Sequence, residues 1–198
     1  MARRLRGPIP GFTILELLFA LAITGTLTAI AVPQGLRALD DFRTRAAARY
    51  LAQRLVDARL SAIKRSLAHG LRFEPGSPDY RITAVADGNA NGLRTAEIQR
   101  GTDRTLTAPD TIGSHFEGVA FGIQDGVPDA DGLPANGSDG VRVGSARLLA
   151  MNPDGTSSSG TLYLRGRNRA QYAVRVLGVT GRVRMLRFDY ARRRWIDQ

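Results

Sequence analysis

The sequence predicts an α+β fold: one long N-terminal helix, half membrane-spanning and half amphipathic, packed on a small antiparallel β-rich head. Three observations predict it. The run from Phe12 to Val32 is apolar apart from a single carboxylate, Glu16. Apolar residues then recur at spacings of three or four as far as Ala62, the repeat of a one-sided helix. Beyond Gly70, short segments alternate apolar and polar side chains between turns rich in glycine, aspartate and proline, the pattern of strands.

The 21 residues Phe12–Val32 reach about 32 Å as a helix, the thickness of a bilayer's hydrocarbon core. A carboxylate at Glu16 is costly there, about 2.5 to 3.5 kcal/mol on insertion scales, so it marks a functional position by default. Arg3, Arg4 and Arg6 lie just upstream and stay cytoplasmic under the positive-inside rule. An ordinary secretory signal is the bland alternative, with Ala29-Ile30-Ala31 as its cleavage site. Against it, the run exceeds the usual 7–15 residues and carries an acid near its start. A plain anchor accounts for the length and leaves the Gly11-Phe12 junction and Glu16 unexplained.

Gly11-Phe12-Thr13-Ile14-Leu15-Glu16 resembles the prepilin-type signal of type IV pilins and type II secretion pseudopilins. The resemblance implies that a prepilin peptidase cuts after Gly11 and that Phe12 becomes the N-methylated first residue. It implies that Glu16 acts in assembly, its charge offset by the free amine of a neighbouring subunit's Phe12. Pro10 stands where that family usually has Lys or Arg, and Pro33 falls where many pilins carry a proline. The implied organisation is a cleaved leader over 1–11, a membrane and assembly half of the helix over 12–32, an amphipathic half over 33–69 and a periplasmic head over 70–198.

The chain has 28 basic and 18 acidic residues; setting aside the three leader arginines leaves 25 against 18. Cysteine is absent, which excludes a disulfide framework and a thiolate metal site. The residues left after leader and membrane segment suffice for one domain with a core. Leu36, Leu39, Ala47, Leu51, Leu55, Ala58 and Ala62 form the amphipathic stripe, with Arg37, Arg45, Arg49, Arg59 and Lys64 mostly off it. The helix should end near Leu67, before Gly70. Pro33 removes a backbone hydrogen bond and is the expected kink.

In the head, strands are expected over 80–85, 119–123, parts of 141–149, 161–164, 172–177 and 183–188, with Asp154-Gly155 and Thr180-Gly181 supplying turns. GVPDADGLPANGSDG, residues 126–140, is expected to be a mobile surface loop. NPDGTSSSGTLYL (152–164) followed by QYAVRVLGVTGRVRM (171–185) resembles the C-terminal signature of the GspH/FimT pseudopilins. That resemblance implies a pilin-like fold, a bacterial inner-membrane precursor and a minor subunit at the tip of a type II secretion pseudopilus supporting protein export. Its implied partners are other minor and major pseudopilins, the prepilin peptidase and the inner-membrane assembly platform. The other job in the family is a type IV pilus minor pilin that binds DNA for natural transformation.

Enzyme chemistry is not expected. His69 and His115 are the only histidines, Ser157-Ser158-Ser159 has no nearby base in sequence, and no G-x-S-x-G or phosphate-binding loop occurs. His115, beside Phe116, reads as a half-buried strand-edge residue. No cofactor is assigned, but Asp87-Gly88-Asn89-Ala90-Asn91-Gly92 fits the first half of a calcium loop, with oxygens at Asp87, Asn89 and Asn91. Ile98 stands where the closing Glu belongs, and a turn that favours Asp, Asn and Gly is the other reading. Residues 165–194 hold ten arginines against one acid, Asp189, with Phe188, Tyr190 and, just beyond, Trp195 beside them. Arg182, Arg184, Arg187, Arg192, Arg193 and Arg194 are candidate DNA contacts. Gly181-Arg182-Val183-Arg184 resembles the G-R-x-R of FimT-type pilins. The solvent face of an ordinary strand, with Phe188 and Trp195 in the core, accounts for the same residues.

Overall fold

The computed structural model describes residues 11–135 and 137–198. The leader positions 1–10, including Arg3, Arg4, Arg6 and Pro10, lie outside the described residues. The chain divides into two compact units, the first reaching Ala38 and the second comprising Leu39–Gln198. Helix α1, Ile14–Arg65, contributes to both.

In the first unit the helix begins at a threonine cap. The Glu16 N–H donates to Thr13 Oγ1 at 3.2 Å, and Leu17 N–H closes the first turn on the Thr13 carbonyl at 3.1 Å. Every side chain from Gly11 to Leu39 is exposed, including Phe12, Ile14, Leu15 and Phe19. Thr24, Thr26 and Thr28 donate their hydroxyls to carbonyls four residues back at 2.7–2.8 Å, which satisfies these hydroxyls without water. Pro33 lies inside the helix, where it has no N–H for the carbonyl of Ala29. Among the described residues this is the one helix long and apolar enough to cross a membrane.

In the second unit, Asp40, Thr44, Ala47, Ala48, Leu51, Leu55 and Ala62 are the buried face of α1. Leu36 and Leu39, expected in the same stripe, are exposed, because the cover over the helix starts at Asp40 and not at the apolar residues before it. The small residues at 44, 47 and 48 let the sheets approach closely. Leu51 and Leu55 fill the space beyond, each contributing about 1.5–3 kcal/mol by burial.

Two antiparallel sheets share this core. One runs β3 (Arg104–Thr105), β2 (Arg81–Ala86), β1 (His69–Glu74), β7 (Leu148–Met151), with β4 (Asp110–Thr111) also on β2. The other runs β11 (Arg194–Asp197), β10 (Arg182–Asp189), β9 (Gln171–Leu177), β8 (Gly160–Arg165), β5 (Ala120–Phe121), with β6 (Val141–Arg142) also on β8. Short helices α2 (Thr95–Arg100) and α3 (Ile112–His115) sit in the connections. Leu162, Leu164, Tyr172, Val174 and Val176 of the second sheet meet Leu51, Leu55, Leu71 and Phe73 in one cluster.

The opposite face of the second sheet carries Tyr163, Ala173, Leu186 and Phe188, and a smaller cluster covers it. Its cover comes from the segment expected to be a free surface loop. Val127 is buried, Ala130 and Ala135 pack against the cluster, and Tyr163 Oη accepts from Ala130 N–H at 2.9 Å. Trp195 Nε1 donates to the Pro128 carbonyl at 3.0 Å and so ties the last strand to the same segment. An uncovered Tyr163–Phe188 face would leave aromatic surface in water, which is why this stretch packs despite its turn-rich composition.

Candidate functional site

The first candidate lies at the start of α1. Gly11 and Phe12 precede the helix, and both are exposed. A Cβ built on Gly11 meets nothing within 4 Å among the described residues, so the described part of the fold makes no demand for glycine there. The Glu16 backbone is held by the Thr13 cap, but its carboxylate is exposed and has no hydrogen bond or ion pair among the described residues. Thr13-Ile14-Leu15-Glu16 also has the capping-box spacing, a signal that explains the helix start and was legible in the sequence. Only the threonine half of the box is formed.

The second carboxylate on α1 has a different setting. Asp40 is buried, and its two oxygens accept from the N–H groups of Arg167 and Asn168 at 2.8 and 2.9 Å. It thereby holds the β8–β9 turn against the helix. A Cβ on Gly166 would come within 2.5–2.6 Å of the Asp40 carboxylate and 2.6 Å of Thr44 Oγ1, so this close approach needs glycine. Next to it, Asp41 accepts from Tyr172 Oη at 3.2 Å and pairs with Arg187 at 3.5 Å. Burial, with the Asp41 charge, pushes the Tyr172 phenol up to about 12. Sequence reading missed this anchor; an aspartate inside a helix stripe was its only signal.

The six C-terminal arginines do not form one surface. Arg182 and Arg184 share a face of β10 with Leu186 and Phe188, whereas Arg187 projects from the other face toward Asp41. Arg184 donates to Asp197 Oδ2 at 2.6 Å through Nη2 and 3.1 Å through Nε. These bonds outweigh a smaller upward push from burial and hold the Asp197 carboxyl below its usual range. Arg192 pairs with Asp189 at 3.5 Å, while Arg193 and Arg194 are exposed at the other end of the strand, beside the β10–β11 turn. Phe188 is buried and Trp195 is partly buried against it at 5.4 Å, so these aromatics belong to the packing.

The Asp87 loop closes on itself. Asp87 Oδ1 accepts from Asn89 and Ala90 N–H at 2.9 Å and Oδ2 from Gly92 N–H at 2.7 Å. Asn89 and Asn91 turn their amide nitrogens to Glu97 at 3.2 and 3.0 Å, and Asp103 accepts from Gly88 and Arg94 N–H. Ala90 and Gly92 have φ of 61° and 87°, as a turn requires. Among the described residues no group of three acidic, histidine or cysteine side chains has metal-holding geometry.

His115 ends α3 and is exposed, not a strand-edge residue. Its Nε2 lies 2.9 Å from Asp110 Oδ2, and its ring lies tilted against Tyr50 of α1 with the ring centres 5.2 Å apart. Ser114 also bonds to Asp110, at 3.0 Å, so Asp110 separates serine from histidine and the three do not make a nucleophile–base pair. Burial alone would raise the Asp110 carboxyl; hydrogen bonds from His115, Ser114 and Tyr50 outweigh it and hold the group below its usual range. One cavity, of about 800 Å³, is walled by residues 123–128, by Gly132, Pro134, Ala135, Gly137 and Ser138, and by Arg193. It converges no set of reactive side chains.

No protein-family profile matches the chain, and no curated protein matches it. Among solved structures, the minor pseudopilin EpsH from the type 2 secretion system of Vibrio cholerae is similar. The two align with a TM-score of 0.43 and 16% identity over 72% of this chain and 94% of that one.

Proposed function

We propose that this chain is a minor pseudopilin: a subunit inserted in the inner membrane by its N-terminal helix, processed after Gly11 and assembled at the tip of a type II secretion pseudopilus. The head lies on the periplasmic side, and the protein supports export as a structural component. The observation that carries this reading is the exposed apolar stretch of α1 with one carboxylate, Glu16, without a partner among the described residues, continuous in the same helix with the core of a β-rich head. A lone carboxylate in an apolar run is retained only where something offsets its charge. The new amine at Phe12 of a neighbouring subunit is that group, and it sets axial register. Gly11 fits the same reading, because the peptidase and not the fold is what needs it.

Incorporation into filaments tests this. With Glu16→Ala expressed beside its native partner subunits, membrane levels should match the unmodified protein while the amount in sheared filaments falls at least about tenfold, as the loss of one buried ion pair predicts. Equal incorporation would refute the register role.

A further inference from the structure

We infer that the end of the head at which α1 enters it, where Asp40 lies, carries a basic rim that docks on anionic phospholipid headgroups. The inference rests on the membrane-anchoring reading above. Asp40 fixes the β8–β9 turn, which bears Arg167 and Arg169, against the first turn of α1 in this unit. The guanidinium of Arg169 lies 4.5 Å from the ring centre of Tyr190, which joins that turn to the β10–β11 turn bearing Arg192, Arg193 and Arg194. Arg45 faces the same region beside Tyr172. The carboxylates here are Asp40, which is buried and accepts from Arg167 and Asn168 N–H, Asp125, which shares a cavity wall with Arg193, and Asp41, Glu117 and Asp189, which pair with Arg187, with Arg43 and Arg167, and with Arg192 respectively. Arg45, Arg169, Arg193 and Arg194 are exposed and in no ion pair among the described residues.

Position decides what such a surface meets. Eight residue steps separate Val32, the end of the apolar run, from Asp40, and even fully extended they reach no more than about 29 Å. While the helix is in the bilayer, the two turns are tethered within reach of the headgroups, where the effective concentration of phosphate is high. Phosphodiesters of nucleic acid have the same charge, but nothing tethers them. Arg182 and Arg184 lie at the opposite end of β10 from Asp189, away from this rim, and Arg184 is already paired. Attraction of this kind is screened by salt over about 10 Å at 0.1 M.

Trp195 is the only tryptophan and lies one residue from Arg194, so it reports on this end of the head. The full chain is reconstituted in vesicles of phosphatidylcholine, with or without about 30% phosphatidylglycerol, carrying a headgroup spin label that quenches Trp195. Quenching should rise with phosphatidylglycerol, fall back in about 0.5 M salt, and lose its lipid dependence in Arg169→Gln/Arg193→Gln/Arg194→Gln. Arg182→Gln with Arg65→Gln, which removes charge elsewhere, should behave as the unmodified protein. Quenching indifferent to phosphatidylglycerol overturns the inference. So does a triple variant that keeps its lipid dependence but loses duplex DNA binding in detergent, which would assign the rim to nucleic acid. Failure of the chain to float with neutral vesicles after alkaline extraction would instead defeat the anchoring reading, and the tether argument with it.

Discussion

Glu16 and Asp40 are carboxylates on one helix, 24 residues apart, and their surroundings are opposite. Asp40 is buried and receives two backbone N–H groups of the β8–β9 turn. Glu16 is exposed in an apolar stretch, with its backbone capped and its carboxylate without a partner among the described residues. An acid whose charge is answered inside the chain is an element of the fold. One whose charge is not answered, in a segment built for hydrocarbon, points to a partner outside it. The two residues therefore predict opposite phenotypes.

The largest expected effect is on assembly. Glu16→Ala should abolish filament entry while leaving the urea unfolding midpoint of the head within error of the unmodified protein. Asp40→Ala should do the reverse, lowering head stability by about 3 kcal/mol in urea unfolding, because the N–H groups of Arg167 and Asn168 lose a charged acceptor. An unchanged midpoint in Asp40→Ala would break the comparison. Gly166→Ala sharpens it: a Cβ pressed on the Asp40 carboxylate and Thr44 should cost about 1–3 kcal/mol by the same assay.

The smallest effect concerns pH. Asp110 has a lowered carboxyl pKa in the fold, so it contributes stability that is complete above the unfolded carboxylate range and is lost as pH falls through the lower folded value. Unfolding followed from pH 6 into the acid range should show Asp110→Asn less stable at pH 6 by about 1 kcal/mol, the two proteins converging as the carboxylate of the unmodified protein is protonated. A constant gap across the range would show that packing, not charge, holds the group.

The contrast also explains what was legible in the sequence. The apolar run, Glu16, the helix repeat and the later strands rest on local pattern, and the helix and strands stand close to where pattern put them. What escaped depends on residues far apart. β1, with its run His69-Gly70-Leu71-Arg72, shows no alternation because both its neighbours are strands and most of it is buried. β11 was not among the expected strands because Arg192–Arg194 run into its start, and only pairing with Leu186–Asp189 makes it a strand. Composition made 126–140 look like free loop, while Val127 and the Pro128 carbonyl serve Phe188 and Trp195 more than 60 residues away. The arginines were clustered in sequence, yet strand alternation sends Arg184 and Arg187 to opposite faces, each to its own acid.

The central claim, that this helix is a processed assembly element, is tested most directly by the mature N-terminus. The protein is extracted from membranes and the mass and sequence of its first peptide are read. The account predicts a chain that begins at N-methylated Phe12 and still carries Glu16. A chain beginning near Val32, after Ala29-Ile30-Ala31, would contradict it and leave Glu16 in a discarded signal.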